Sequence, residues 1–160
     1  MKNFTIQDII NFKKSKEKFA TLTAYDYSSA QIVDSAEIPL ILVGDSAAMV
    51  VYGYDTTIPI TMDEMLFIVK AVVRGSQRAL VVADMPFLSY QTNTDDAINN
   101  AGRFIKEGGA AAVKLEGGVQ VKKHIQKIVG FGIPVLGHIG LTPQSFHQLS
   151  GYGMQGKTPT

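Results

Sequence analysis

Five short apolar runs recur along the chain, and segments with helical periodicity lie between them. The runs are rich in Val, Ile, Leu and Ala and close with Gly, Pro or a polar residue, which is typical of strands covered on both faces of a parallel sheet. The alternation therefore predicts an α/β fold. The five predicted strands are FATLTAYD (Phe19 to Asp26), PLILVGDS (Pro39 to Ser46), ALVVADMP (Ala79 to Pro86), AAAVKLEGG (Ala110 to Gly118) and IPVLGHIG (Ile133 to Gly140).

The segments between the runs carry helix start and stop signals. Thr61 to Glu64 has the capping-box pattern ahead of a periodic run that ends at Gly75. Segment 95–109 places its apolar residues on one helical face, and a further periodic segment closes at Gly130. Thr5 to Asp8 predicts an additional helix that precedes the first strand.

Repeated strand-helix units form either an open doubly wound sheet or a closed (β/α)8 barrel. No G-x-G-x-x-G or Walker loop follows any of the five runs, which disfavours the nucleotide-binding versions of the open sheet. No low-complexity tract or linker interrupts the pattern. We therefore expect residues 1–160 to belong to a single domain.

Composition excludes several classes of function. The net charge is +1 and no long basic run is present, which argues against nucleic-acid and anionic-membrane partners. The absence of cysteine excludes a disulfide scaffold, a zinc-thiolate site and a cysteine nucleophile. No stretch of about 18 apolar residues is present to span a bilayer. Asp8 and Asn11 interrupt the apolar character that a signal peptide needs, so we expect a cytoplasmic protein.

Residues capable of chemistry stand at the carboxyl end of every predicted strand. In a parallel α/β fold these ends lie on one side of the molecule, where ligands bind. Residues far apart in the sequence are therefore expected to converge on one site. They are Asp26 on the first run, Asp45 and Ser46 on the second, Asp84 on the third, Lys114 and Glu116 on the fourth, and His138 on the fifth.

The acidic members of this set predict a metal site. Asp45, Asp84 and Glu116 supply three carboxylates and no thiolate, and such an all-oxygen set selects a hard cation, Mg²⁺ first. Lys114 lies two residues before Glu116, so strand alternation points both side chains to the same face. Without a cation or Lys114, the three carboxylates would repel one another.

Structural interpretations stand beside these functional ones. Asp26 is as consistent with a helix N-cap as with a site residue, and Ser46 could also be only a cap. Lys114 and Glu116 taken alone would suggest an internal ion pair, but the agreement of four strand ends favours a site. His124 is expected to be solvated, and His147 to lie in a surface loop.

As a set, the segments LTAYD, LVGDS, VVADMPF, AAVKLEGG and PVLGHIGLTPQS resemble the amino-terminal part of the ketopantoate hydroxymethyltransferase family. The resemblance implies a (β/α)8 barrel of the phosphoenolpyruvate/pyruvate superfamily, of which about five units are present here, and assembly as a decamer. It also implies transfer of a one-carbon unit from 5,10-methylenetetrahydrofolate to 3-methyl-2-oxobutanoate, which gives 2-dehydropantoate for pantothenate and coenzyme A synthesis.

The resemblance also implies roles for individual residues. Asp45 and Asp84 resemble Mg²⁺ ligands, with Glu116 as the third acidic member. Asp45, Ser46, Asp84 and Lys114 resemble contacts of the oxo-acid substrate. His138 resembles the histidine of the GHIGLTPQS segment, without an assigned role.

One departure from the family concerns the proton acceptor. The resemblance places this glutamate on a later strand, beyond residue 160. Three further strand-helix units need roughly 90 to 120 residues, in line with the usual barrel of about 250 residues. We therefore expect these 160 residues to be part of a longer protein.

Two alternatives to the hydroxymethyltransferase function stay open. They are another Mg²⁺-dependent oxo-acid lyase or mutase of the same superfamily, and a catalytically inactive piece.

Overall fold

The computed structural model describes residues 3–153, and residues 1–2 and 154–160 of the expected domain lie outside this range. Within it, no helix has the length and apolar character needed to cross a membrane. The strands are β1 (Thr21–Thr23), β2 (Leu40–Val43), β3 (Leu80–Asp84), β4 (Ala112–Glu116) and β5 (Val135–His138). The α-helices are α1 (Ile6–Ser15), α2 (Tyr27–Ser35), α3 (Ala47–Val50), α4 (Met62–Gly75), α5 (Thr94–Lys106), α6 (Lys122–Gly130) and α7 (Phe146–Leu149), with 3-10 turns at Val119–Val121 and Pro143–Ser145.

The five strands form one parallel sheet in the order β1-β2-β3-β4-β5. A doubly wound sheet reverses its strand order at a switch point, whereas a barrel adds each strand beside the previous one. The observed order has no reversal. The predicted barrel architecture is therefore confirmed in its partial form, as five consecutive units.

The two faces of the sheet pack against different helices. Side chains that alternate outward, among them Ile41, Val81 and Val113, are fully or almost fully buried in the main core against the helices that follow the strands. The inward-facing Leu40, Leu80, Val82 and Ala112 form a second cluster with Phe4, Ile6, Ile9, Phe19 and Leu42. Helix α1 therefore covers the amino-terminal half of the inner face and leaves its carboxyl-terminal half for polar side chains.

The expectation that all five strands are buried on both faces is wrong for the edge strands. β1 is exposed along its length, and Leu22 retains 49% of its accessible surface. Leu136 on β5 retains 40%. Each edge strand has only one neighbour in the sheet, and burial depends on neighbours that an apolar run by itself does not reveal.

The predicted helix signals are confirmed. Thr61 and Glu64 form the capping box at the start of α4, and Thr5 and Asp8 form another at the start of α1. Helix α4 ends at Gly75, where it crosses α2 closely. A Cβ atom at Gly75 would lie 2.5 Å from the carbonyl oxygen of Tyr27 and 2.8 Å from the Cβ of Ala30.

Replacement of Gly75 by Ala is expected to lower the free energy of unfolding by about 1–3 kcal/mol, because the added methyl group overpacks the crossing of α2 and α4. Gly102 lies inside α5, and nothing lies within 4 Å of the position that a Cβ atom would take there. Gly102→Ala, the matched control, is expected to stabilise by about 0.5–1 kcal/mol through the better helix propensity of Ala. Denaturant unfolding of the complete natural protein measures both, and equal effects would contradict the close crossing.

Candidate active site

The structure brings the predicted polar residues together at the carboxyl ends of β2 to β5. In the strand register Asp84 pairs with Lys114 and Glu116 pairs with His138. Asp45 follows β2, and its backbone N–H donates to Asp84 Oδ2 over 3.3 Å. The convergence inferred from the strand ends is therefore observed for Asp45, Asp84, Lys114, Glu116 and His138.

A buried ion pair lies at the centre of this group. Lys114 Nζ donates to Asp84 Oδ2 over 2.6 Å, and the two side chains are only 10% and 2% exposed. Burial raises the pKa of Asp84, the charge of Lys114 lowers it, and the nearby charge of Asp45 raises it; the net pKa is about 7. Asp84 therefore sits close to the balance between its charged and neutral forms at neutral pH.

Asp45 is buried beside this pair. Its Oδ2 accepts a hydrogen bond of 2.9 Å from Gln144 Nε2. Burial raises the pKa of Asp45, while this hydrogen bond and the charge of Lys114 act in the opposite direction. The buried hydroxyl of Thr57 also favours the ionised form, although it makes no hydrogen bond of good geometry.

Glu116 is held between a backbone amide and two basic side chains. Its Oε2 accepts from the backbone N–H of Gln144 over 3.0 Å. Its Oε1 lies 3.0 Å from His138 Nδ1 and 3.9 Å from Lys114 Nζ. The His138 contact has ion-pair distance without the angles of a directed hydrogen bond. Burial raises the pKa of Glu116, and the charges of Lys114 and His138 partly offset this effect.

The donor set fits a hard cation held by few protein ligands. Asp84 Oδ1 is buried and has no hydrogen-bond partner among the described residues, so one carboxylate oxygen beside Asp45 is left free. Across residues 3–153 no group of three or more His, Cys, Asp or Glu side chains is arranged to hold a metal ion. Mg²⁺ is commonly bound through one or two carboxylates, with water and substrate as its other ligands. Asp45 and Asp84 offer two such carboxylates, and their role as metal ligands, with Glu116 as the third, stays a prediction.

Asp26 and Ser46, the two other strand-end residues, have surroundings that differ from those of the five converging residues. Asp26 is exposed and caps α2, because its side chain accepts from Ser29 N over 2.8 Å, and the hydrogen bonds from Ser29 lower its pKa. This supports the capping interpretation. Ser46 precedes α3 but makes no capping hydrogen bond, and its hydroxyl lies 2.8 Å from Tyr25 Oη. Ser46 therefore does not act as the helix cap that its position in the sequence allowed.

A cleft of about 770 Å³ opens beside Glu116. Its lining includes Tyr90 and Gln144, two buried residues that sequence reasoning missed. Tyr90 Oη accepts from the backbone N–H of Glu116 over 3.0 Å, and burial raises its pKa. Gln144 lies in the PVLGHIGLTPQS segment, so its position carried a signal, whereas Tyr90 lies in a loop without one.

The two remaining histidines lie in different surroundings. His147 lines the same cleft and makes an edge contact with Phe146, with ring centroids 5.4 Å apart. His124 is half-buried on α6, and within residues 3–153 its buried Nδ1 has no hydrogen-bond partner. The expectation that His124 is simply solvated is therefore wrong, because the helix turns one side of the ring toward the protein.

Replacement of Lys114 by Met is expected to destabilise the protein by about 1–2 kcal/mol at pH 8, because Asp84 loses its buried partner and must take up a proton, which costs about 1.4 kcal/mol at one pH unit above a pKa of about 7. The loss is expected to be smaller at pH 6. The pKa of Asp84 in the folded protein is about 7, above its value in the unfolded chain, so stability falls as pH rises toward 7. At pH 6 the Asp84 carboxyl group is largely protonated, so the loss of the Lys114 charge matters less there.

The control for Lys114→Met is Arg103→Met. At the surface, Arg103 Nη2 lies 2.6 Å from Asp63 Oδ1 and Arg103 Nε lies 3.0 Å from Glu107 Oε1, and all three side chains are at least 37% exposed. Loss of such a pair costs about 0–1 kcal/mol with little dependence on pH over this range. Thermal unfolding of the complete natural protein at the two pH values compares them, and an equal, pH-independent loss would contradict the buried-pair account.

Solved structures with the same fold include 2,3-dimethylmalate lyase, a member of the phosphoenolpyruvate mutase/isocitrate lyase superfamily, and phosphonopyruvate hydrolase. The trigonal crystal form of 2,3-dimethylmalate lyase superposes with a TM-score of 0.63 at 16% identity, over 88% of this chain and 52% of that one. Phosphonopyruvate hydrolase in complex with oxalate and Mg²⁺ superposes with a TM-score of 0.67 at 13% identity, over 84% and 52%. These likenesses establish the fold as a partial TIM barrel.

Sequence comparison gives the family. The protein called 3-methyl-2-oxobutanoate hydroxymethyltransferase from Dehalococcoides mccartyi strain BAV1 is 62% identical to this chain, over 96% of this chain and 55% of that protein. The protein of that name from Carboxydothermus hydrogenoformans matches at 57%, over 98% and 57%. The chain thus spans little more than half the length of these curated relatives. The family model of ketopantoate hydroxymethyltransferase matches residues 3–160, and the chain belongs to this family.

Proposed function

We propose that the complete protein transfers a hydroxymethyl group from 5,10-methylenetetrahydrofolate to 3-methyl-2-oxobutanoate and forms 2-dehydropantoate. The proposal rests on family membership and on one observation, the buried pair of Asp84 and Lys114 with Asp84 Oδ1 left without a partner. This arrangement combines a free anionic oxygen for a cation with a fixed ammonium group for an anionic substrate. Both features suit a reaction that builds negative charge on a 2-oxo acid.

Asp45 and Asp84 are the proposed ligands of Mg²⁺, with Glu116 as the third acidic group. When bound, Mg²⁺ supplies a Lewis acid that polarises the keto group of the substrate. The Lys114 ammonium, held 2.6 Å from Asp84, adds positive charge where the oxo acid would bind. We assign Ser46 to substrate contact as well, since its hydroxyl is engaged by Tyr25 and not by a helix terminus.

The removal of the C3 proton needs a base. The family resemblance assigns this role to a glutamate beyond residue 160. Within the described residues, Glu116 Oε1 lies 3.0 Å from His138 Nδ1, at ion-pair distance. We propose that this pair keeps the site electrically balanced while the substrate carbon loses its proton.

The remaining parts of the proposal concern the whole protein. We propose that residues 1–160 belong to one domain, the amino-terminal part of a (β/α)8 barrel, that the protein is cytoplasmic, and that it assembles as a homo-oligomer, a decamer by family resemblance. The near-neutral charge gives no support for a nucleic-acid partner. We propose small-molecule substrates on the basis of family membership.

Asp84→Ala in the complete protein is expected to abolish Mg²⁺-dependent exchange of the C3 proton of 3-methyl-2-oxobutanoate, with a loss of at least about 100-fold. Loss of the carboxylate removes a proposed metal ligand and leaves Lys114 without its close partner. Proton NMR in D₂O follows the exchange. Asp63→Asn, at an exposed surface ion pair, is the control and should exchange at the wild-type rate. Unchanged exchange in Asp84→Ala would overturn the assignment.

The folate requirement separates the proposal from its alternative. The solved structures with the same fold include a lyase and a hydrolase, which supports an oxo-acid lyase or mutase as the second candidate. We expect 2-dehydropantoate to form only when methylenetetrahydrofolate is present, as measured by mass spectrometry. Conversion of an oxo acid by the complete protein without folate would favour the alternative.

The affinity for Mg²⁺ is expected to fall about tenfold per pH unit below pH 7. The pKa of Asp84 is raised to about 7, and a protonated carboxyl group must lose its proton before it binds a cation. Above that value the dependence on Asp84 should flatten. Calorimetric titration between pH 5.5 and 8.5 gives the profile, and an affinity that is constant across this range would contradict a metal ligand whose pKa lies near 7.

A further inference from the structure

Gln144 is a buried residue that contacts both sides of the candidate site. It lies in the 3-10 turn Pro143–Ser145, which follows β5, and is only 5% exposed. Its backbone N–H donates to Glu116 Oε2 over 3.0 Å. Its side-chain Nε2 donates to Asp45 Oδ2 over 2.9 Å and to the carbonyl oxygen of Met85 over 2.8 Å. One residue from the last loop is thus bonded to carboxylates that follow β2 and end β4.

The other end of the side chain is equally engaged. Gln144 Oε1 lies 2.8 Å from Tyr90 Oη and 2.9 Å from Gln91 Nε2, both of which can donate. The partners of Nε2 are acceptors and the partners of Oε1 carry donors, so the amide fits in one orientation only. Only a side chain with a donor and an acceptor at this reach satisfies all four partners.

We propose that Gln144 is a positioning residue that fixes the orientation of the Asp45 carboxylate for the cation and the oxo acid. This inference rests on the function proposed above. A hydrogen bond to a charged carboxylate is short and directional, so it holds Asp45 in one rotamer. The backbone N–H of residue 144 is retained in any substitution except proline. Side-chain replacement should therefore release Asp45 while Glu116 keeps its partner.

The test is Gln144→Met in the complete protein, with Mn²⁺ binding followed by electron paramagnetic resonance in the absence of substrate. We expect the affinity for Mn²⁺ to fall about tenfold and the KM for 3-methyl-2-oxobutanoate to rise by a similar factor. Gln91→Met is the matched control. It removes one donor to Gln144 Oε1 but leaves the bond to Asp45, so its Mn²⁺ affinity should stay within about twofold of wild type.

A double-mutant cycle with Asp45→Asn separates positioning from a general structural role. If Gln144 acts through Asp45, Gln144→Met should cost little further Mn²⁺ affinity once Asp45 is replaced. Equal losses in both backgrounds would overturn the inference, as would wild-type affinity in Gln144→Met. If Gln144→Met does not fold, Gln144→Asn is judged by the same criteria, because it shortens the amide out of reach of Asp45. Failure of the wild-type protein to bind Mn²⁺ would instead overturn the proposed function.

Discussion

The buried contact between Asp84 and Lys114 is the interaction on which the rest of the site depends. Two charges removed from water are tolerated only when they are paired, and the 2.6 Å contact provides the pairing. The pairing requires β3 and β4 to run parallel in the register that sets Asp84 beside Lys114. That register also places Glu116 next to His138 one strand further on. The strand register that forms the sheet therefore also determines which charged side chains of the site lie next to each other.

The division of the inner face explains why so many charges can gather there. Its amino-terminal half is apolar and is covered by Ile6 and Ile9 of α1 and by Phe4 just before it, which pack on the strand residues. Its carboxyl-terminal half holds the carboxylates and Lys114. The apolar half supplies the packing that keeps the strands in place. The polar half is thereby left available for ligands, as in other barrels where chemistry is confined to the carboxyl-terminal face.

Much of the fold followed from the sequence because its signals are local. The apolar runs and the Thr61 to Glu64 capping box each depend on a few adjacent residues. The exposure of β1 and β5 depends on which strands lie beside them, and no apolar run encodes that. Among strand-end carboxylates, Asp26 and Asp84 look alike until the following residues are compared. Ser29 completes a capping box with Asp26, whereas Asp84 ends β3 ahead of a long loop. Tyr90 was missed because a loop residue has no periodicity to place it, whereas Gln144 was missed although it lies in the PVLGHIGLTPQS segment.

The central claim is that Asp45 and Asp84 hold a divalent cation against the oxo acid. The most direct measurement is a crystal structure of the complete protein with Mg²⁺ and 3-methyl-2-oxobutanoate. The account predicts carboxylate oxygens of Asp45 and Asp84 at about 2.0–2.1 Å from the ion, with the substrate carboxylate or keto oxygen completing the shell and Lys114 still beside Asp84. A metal bound elsewhere, or an oxo acid seated away from these two carboxylates, would contradict it.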